Sequence, residues 1–289
     1  MRVVIDDNSG FCFGVVRAIE VAEESLGRVG EVYSLGDIVH NRIEVQRLEE
    51  LGLRTVSHDD MTALGGKMLL IRAHGEPPRT YTHAEQLGID IVDATCPVVA
   101  RLQRVVREAY AQMATVGGRV VLLGKRGHAE VIGLTGQVDD DVTVVEREED
   151  LEVLDYTRPI YFLSQTTQSI DLFNHLAEVI RSRMSEGLEF VVNDTICRRV
   201  AGREALLAEF SRGVDVVLFV CGRKSSNGKV LSEVCRRANP RCYNIEEAQD
   251  VDMSWLDGVE SVGICGATST PRWLMESVAR EVESMCNNR

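Results

Sequence analysis

The sequence predicts an α/β protein of three similar units with mainly parallel sheets. One observation behind this is repetition: strand, acid, cysteine and amphipathic helix follow one another in the same order three times. The second is alternation, since strands separated by helical stretches imply parallel sheets covered on both faces. A chain of 289 residues, 44% hydrophobic and 27% charged, can bury the cores that such units need.

The first set of elements comprises Val3-Val-Ile-Asp6 leading to Cys12, Ile91-Val-Asp93 leading to Cys96, and Phe190-Val-Val-Asn-Asp194 leading to Cys197. Helices follow over 15–26, 99–113 and 202–212, with apolar residues at three- and four-residue spacing such as Val99, Leu102, Val105 and Val106. In the second set, strand 31–36 leads to His40 and Asn41, strand 119–124 to His128 and Glu130, and strand 216–222 to Ser225, Ser226 and Asn227. From Cys12 to His40, Cys96 to His128 and Cys197 to Ser225 the intervals are 28, 32 and 28 residues, as expected of one template. In the third set, strand 68–73 leads to His74, strand 160–165 to Thr166 and Thr167, and strand 262–267 to Thr268 and Ser269. A helical stretch and a short β-branched segment, such as 142–145, lie between the second and third sets. Each unit thus reads strand, helix, strand, helix, strand, strand. The expected units are 1–95, 96–194 and 195–289, and with no Pro- or Ser-rich linker between them they should pack together.

Composition narrows the function. Lys and Arg number 32 against 45 Asp and Glu, a net charge of −13 that disfavours nucleic acid as a partner. No apolar run approaches the roughly 20 residues that span a bilayer, and the opening Met-Arg-Val-Val-Ile-Asp-Asp lacks the apolar stretch of an export signal. A cytoplasmic protein without membrane partners is expected. None of the eight cysteines forms a CxxC pair, so free or metal-bound thiols are expected in place of disulfides or zinc ribbons.

Ligands of open α/β sheets bind outside the carboxyl ends of the strands, where every residue singled out above lies. If three units face one another around an approximate threefold axis, Cys12, Cys96 and Cys197 converge, ringed by His40, His74, His128, Thr166, Thr167, Ser225, Asn227 and Ser269. Three thiolates suit a soft metal. Zinc with a fourth, histidine ligand would satisfy them. An iron–sulfur cluster would leave one iron without a cysteine, open to a substrate oxygen, and the surrounding imidazoles and hydroxyls favour this second arrangement. His58, His83 and His175 have no counterparts in the repeat and read as surface residues. Cys221, Cys235, Cys242, Cys265 and Cys286 read as packing thiols.

Seven ordered motifs carry a resemblance: Gly10-Phe-Cys12-Phe-Gly14, Val39-His40-Asn41, Ala73-His74-Gly75, Asp93-Ala-Thr-Cys96-Pro97, Gly127-His128-Ala129-Glu130, Gln165-Thr166-Thr167 and Ser225-Ser226-Asn227. Along nearly the whole chain they resemble the 4-hydroxy-3-methylbut-2-enyl diphosphate reductase (IspH/LytB) family. The resemblance implies three α/β domains in pseudo-threefold arrangement around a 4Fe–4S cluster with three cysteine ligands, here Cys12, Cys96 and Cys197, and one open iron. It implies reductive removal of the allylic hydroxyl of a diphosphate substrate, giving isopentenyl and dimethylallyl diphosphate, with electrons from ferredoxin or flavodoxin. Glu130 would then deliver a proton, with Thr166 and His128 as its catalytic neighbours. The diphosphate would be held by His40, His74, His128, Thr167, Ser225, Ser226, Asn227 and Ser269, through charge-assisted bonds where an imidazole is protonated.

The chain departs from the family pattern at the site. Ala129 stands where the family has Pro, Val200 where a Thr is expected, and Arg198-Arg199 where small residues are the rule. Arginine forks suit carboxylate and phosphate. The alternative is therefore a divergent paralogue that uses the same cluster for reductive dehydroxylation or dehydration of another anionic substrate. On a blander reading the arginines are solvated charges at a helix start.

Overall fold

The computed structural model describes residues 1–223 and 225–287. The chain opens with β1 (Arg2–Ile5) and α1 (Phe13–Val29), followed by β2 (Val32–Leu35), α2 (Arg42–Glu50), β3 (Leu53–Val56), β4 (Met68–Ile71), α3 (Pro78–Gln86) and β5 (Asp90–Asp93). It continues through α4 (Pro97–Thr115), β6 (Arg119–Leu123), α5 (Ala129–Thr135), β7 (Thr143–Val145), β8 (Ile160–Ser164), α6 (Ile170–Arg183) and β9 (Phe190–Val192). Last come α7 (Arg198–Arg212), β10 (Val216–Val220), α8 (Ser226–Ala238), β11 (Cys242–Ile245), β12 (Ser261–Gly266) and α9 (Arg272–Asn287).

Among the described residues three four-stranded sheets result, ordered β3-β2-β4-β5, β7-β6-β8-β9 and β11-β10-β12-β1. In each, the third strand is parallel to both its neighbours: β4 to β2 and β5, β8 to β6 and β9, β12 to β10 and β1. Sheets with helices on both faces need strands apolar on both sides, and β10 (Val-Val-Leu-Phe-Val) is buried at every position.

The expected three-fold repetition of parallel α/β units is present, but the expected boundaries require correction. A first unit of 1–95 places β1 beside β2, whereas β1 pairs with β12, Val3 opposite Val262 and Ile5 opposite Ile264. Each cysteine segment is the fourth strand of the sheet before it and does not open the next one. For β1, the sheet it completes is built from the far end of the chain. The predicted element order also omits α3, α6 and α9, each of which follows the third strand of its sheet. Only Thr80 and Ala84 of α3 are buried, so it carries no apolar period, whereas Phe173, Leu176, Ala177 and Ile180 of α6 have a readable one.

The chain divides into two compact units. One contains Met1–Gly30, Asp37–Leu53 and the stretch from Arg198 onward; the other contains Glu31–Gly36 and Arg54–Cys197. The first holds the β11-β10-β12-β1 sheet, packed on one face by Leu274, Met275, Val278 and Val282 of α9. On its other face Leu207, Phe219, Leu231 and the thiols of Cys221, Cys235, Cys242 and Cys265 pack together, as expected of core cysteines. Helix α2 belongs to this unit: Ile43 packs against the α9-side core, and the Trp273 indole donates to the buried Glu44 carboxylate at 3.0 Å. The second unit holds the other two sheets, with cores centred on Leu69 and Ile71 and on Val120, Leu122 and Leu163. Among the described residues no helix is long and apolar enough to cross a membrane.

Candidate functional site

Each cysteine loop is shaped by its acid. Asp6, Asp93 and Asp194 accept the backbone N–H two residues on, from Asn8 at 3.2 Å, Thr95 at 2.8 Å and Ile196 at 3.0 Å. These are Asx turns, which reverse the chain at the strand exit. Each cysteine then donates its own N–H to the carbonyl two residues past the end of a third strand: Cys12 to Thr268 at 3.1 Å, Cys96 to Ala73 at 3.0 Å and Cys197 to Thr166 at 2.9 Å. Helices α1, α4 and α7 begin at the very next residue, with Cys12 and Cys96 at the cap positions of the first two. Gly10, at φ 103°, supplies backbone freedom to the Cys12 loop. None of the three thiols is in a disulfide, and all are partly exposed.

This donor set fits a soft metal group. Three thiols outside any disulfide sit on equivalent turns, each at a helix start where the dipole favours a negatively charged ligand. The buried Cys221, Cys235, Cys242 and Cys265 lie in the core of one unit instead.

The second set of residues is equally regular. His40, His128 and Ser225 each lie five residues past the end of β2, β6 or β10. Asn41, His128 and Ser225 cap α2, α5 and α8, accepting the N–H of Glu44, Glu130 and Gly228. Gly222 lets the β10–α8 loop pass directly over the His40 carbonyl, where a Cβ would collide with it. His40 and Asn41 line a cavity of about 500 Å³ with Arg42, Gly222 and Arg223.

Two of the three repeats join their first and third strands through one shared device. Thr166 donates its backbone N–H to Glu130 at 2.7 Å and its hydroxyl to the other carboxylate oxygen at 2.8 Å. Thr268 donates its N–H and hydroxyl to the Asn227 side-chain oxygen at 3.1 and 2.7 Å. Glu130 and Asn227 are both the second residue of their helix. Glu130 is only 2% exposed, and burial pushes its carboxyl up to about 7 against the opposing hydrogen bonds from Thr166. Next to Thr268, the Ser269 hydroxyl donates to that of Ser225 at 3.1 Å, and both side chains are buried.

Gln165, missed by the sequence analysis as a site residue, sets the state of His128. Its Oε1 accepts the backbone N–H of Lys125 at 3.1 Å, which fixes Nε2 as the donor end. Nε2 lies 3.1 Å from His128 Nδ1 and 3.1 Å from the Thr167 hydroxyl. Since Nδ1 also accepts the Glu130 N–H at 3.2 Å, it is an acceptor twice over, and the ring proton resides on Nε2. The expectation of a doubly protonated imidazole therefore does not suit His128, because a proton on Nδ1 would face two N–H donors. Close packing of Gly133 on the Gly75 carbonyl brings His74 edge-on to His128, with ring centroids 5.2 Å apart at 83°.

One unit thus collects Cys12, His40, Ser225, Asn227 and Ser269, and the other Cys96, Cys197, His74, His128, Glu130, Thr166 and Thr167. The side chains of Ser226 and Val200 lie outside the described residues. Thr268 went unselected because a threonine after a strand has no distinguishing pattern; its match to Thr166 was the available signal. His58 is exposed as expected, yet it also pairs with the buried Glu76 carboxylate at 2.9 Å, which raises the His58 pKa. Arg198 and Arg199 are exposed, and Arg199 lies over the Phe13 ring at 5.3 Å, so the pair gives no reason to invoke a different anionic substrate.

The profile of a protein family described as LytB protein matches residues 3–283. A 4-hydroxy-3-methylbut-2-enyl diphosphate reductase of Parabacteroides distasonis is 50% identical over 285 residues, covering 99% of this chain and 98% of the relative. The reductase of the same name from Porphyromonas gingivalis is 48% identical, covering 98% and 99%. Among solved structures, (E)-4-hydroxy-3-methyl-but-2-enyl diphosphate reductase, described as the terminal enzyme of the non-mevalonate pathway, aligns with a TM-score of 0.72 at 34% identity over 98% of this chain and all of that one. A reductase from Plasmodium falciparum aligns with a TM-score of 0.85 at 26% identity, covering 96% and 87%.

Proposed function

This chain belongs to the LytB family, and from that premise we propose that it reduces 4-hydroxy-3-methylbut-2-enyl diphosphate to isopentenyl and dimethylallyl diphosphate. Two electrons and two protons are consumed; the allylic C–O bond breaks, a C–H bond forms, and the hydroxyl leaves as water. The reading is of a cytoplasmic enzyme supplied by a ferredoxin or flavodoxin.

Cys12, Cys96 and Cys197 would hold a 4Fe–4S cluster, leaving one iron without a cysteine. When bound, that cluster supplies the electrons and a Lewis-acidic site for the substrate oxygen. The chain's own residues supply the rest. Glu130 carries the proposal, because it is a buried carboxyl poised near neutrality and gripped at both oxygens by Thr166. In its protonated form it delivers the proton that turns the departing hydroxide into water. Thr166 aims that carboxyl. His128 presents Nε2–H to the substrate, while Gln165 and the Glu130 N–H occupy its other nitrogen.

His40, His74, Thr167, Ser225, Ser226, Asn227 and Ser269 would hold the diphosphate with His128. Since Asn227 already uses its oxygen on Thr268, its amide N–H groups are the ones left to meet an anion. The test is anaerobic turnover of the allylic diphosphate with a reduced mediator, together with iron and sulfide analysis. Formation of both C5 products by a protein carrying about four irons is expected; an intact, reducible cluster without products would overturn the assignment.

A further inference from the structure

The Arg198-Arg199 pair is left unused by the substrate site. It begins α7 immediately after Cys197, just as Phe13 begins α1 immediately after Cys12. The two helix starts are tied together: Arg203 of α7 donates to the carbonyls of Gly10 and Phe11, and the Arg199 guanidinium lies over Phe13. Around this junction large apolar side chains are bare, with Phe13 52%, Leu206 43% and Val16 36% exposed. Between them α7 exposes two small residues, Gly202 and Ala205. Aromatic and aliphatic surface, a low backbone profile and exposed arginines are the composition of an interface core. Acidic residues enter at Glu204 of α7, beside Arg203, and at Glu20 of α1. Over the first seven residues of α7, Arg198, Arg199 and Arg203 outnumber the one acid, Glu204, so the basic excess lies at the helix start.

We propose that this face docks a small, acidic electron-carrier protein. The inference rests on the reductase reading, which requires two electrons from outside the chain. The occupant follows from charge: on a molecule of net charge −13, a negatively charged partner is repelled in general and steered only toward a local cationic surface. The place follows from connectivity, since Phe13 and Arg198 are the chain neighbours of two cysteines assigned to the cluster. Two carrier molecules in succession are each oxidised by one electron there, and no bond forms between carrier and enzyme.

The test compares two reductants on the holoenzyme: an acidic ferredoxin, which must dock, and reduced methyl viologen, a small cation that need not. The Arg198→Glu/Arg199→Glu double variant and a separate Val16→Asp variant should raise the KM for ferredoxin about ten-fold or more. Viologen-driven turnover and iron content should be unchanged. Calorimetric binding of oxidised ferredoxin, which needs no turnover, should weaken in parallel and should weaken with salt in the wild-type protein. Unaltered ferredoxin KM and affinity in both variants would overturn the proposal, as would an equal fall with both reductants accompanied by loss of iron. Absence of viologen-driven turnover in the wild-type protein would instead refute the reductase reading, while ferredoxin binding would still decide the docking site.

Discussion

Replacing Glu130 with Gln separates the two consequences of burying this carboxyl. In the folded protein its pKa is raised from 4.5 to about 7, chiefly by desolvation. A carboxyl raised on folding favours the native state while protonated, so that stability is fully present below about pH 4.5 and is lost as pH climbs through about 7. At about 1.4 kcal/mol per pH unit, the wild-type protein gives up about 3 kcal/mol across this window. Gln keeps an oxygen for the Thr166 N–H and never ionises. The thermal midpoint of Glu130→Gln should therefore match that of the wild type near pH 5 and exceed it by several degrees at pH 8. Turnover should move the other way. The variant loses about 10²-fold or more in kcat with its iron content intact, as expected of a lost general acid, and wild-type kcat declines above about pH 7 as the acid form is depleted. A midpoint difference that stays flat from pH 5 to 8, or a Gln variant with full turnover, would refute both the burial argument and the assignment of Glu130 as acid.

Changing Gln165 to Glu puts a carboxylate opposite His128 Nδ1, so ¹⁵N spectra of histidine-labelled protein should show the ring proton drawn onto Nδ1; an unmoved tautomer would contradict the role given to Gln165. Removing the Thr268 hydroxyl by Thr268→Val costs Asn227 one of its two orienting bonds, worth about 1 kcal/mol, and should raise the substrate KM about five-fold with kcat little changed. Serine at Cys12, Cys96 or Cys197 should each deplete iron, whereas Cys235→Ala should retain it, as iron analysis after anaerobic purification would show. Phe162→Ala opens a cavity against Phe173, with which it stacks at 4.7 Å, and should destabilise the protein by about 3–5 kcal/mol in denaturant titrations.

Local repetition made most of this site readable. The Asp-to-Cys segments, the residues five positions past β2, β6 and β10, and the polar residues after the third strands were all found by comparing the chain with itself. What stayed hidden depends on pairing at a distance. Nothing within residues 1–95 shows that β1 hydrogen-bonds to β12, some 260 residues away, because a short Val-Val-Ile strand would suit any parallel sheet. Gln165 was hidden for another reason. It is a fully buried amide, and its value lies in which of its two ends is committed to the Lys125 N–H, a choice that only the fold makes.

Placing the three repeats side by side shows how one scaffold acquires unequal functions. In the β6–β8 and β10–β12 pairs, the second residue of the following helix reaches across to the threonine two residues past the third strand. With Glu130 in that position the result is a buried acid; with Asn227 it is a neutral amide held by the same two donors. The β2–β4 pair has Ala73 at the threonine position, so no hydroxyl is offered and the device is absent. All three repeats nevertheless keep the bond from the cysteine N–H to the carbonyl at that position, because a main-chain acceptor is indifferent to the side chain. The cysteine turns can therefore stay equivalent while the side chains beside them diverge. In the second unit the two patterns meet at one residue: the Thr166 carbonyl accepts the Cys197 N–H, as in every repeat, while the Thr166 N–H and hydroxyl hold the Glu130 carboxyl.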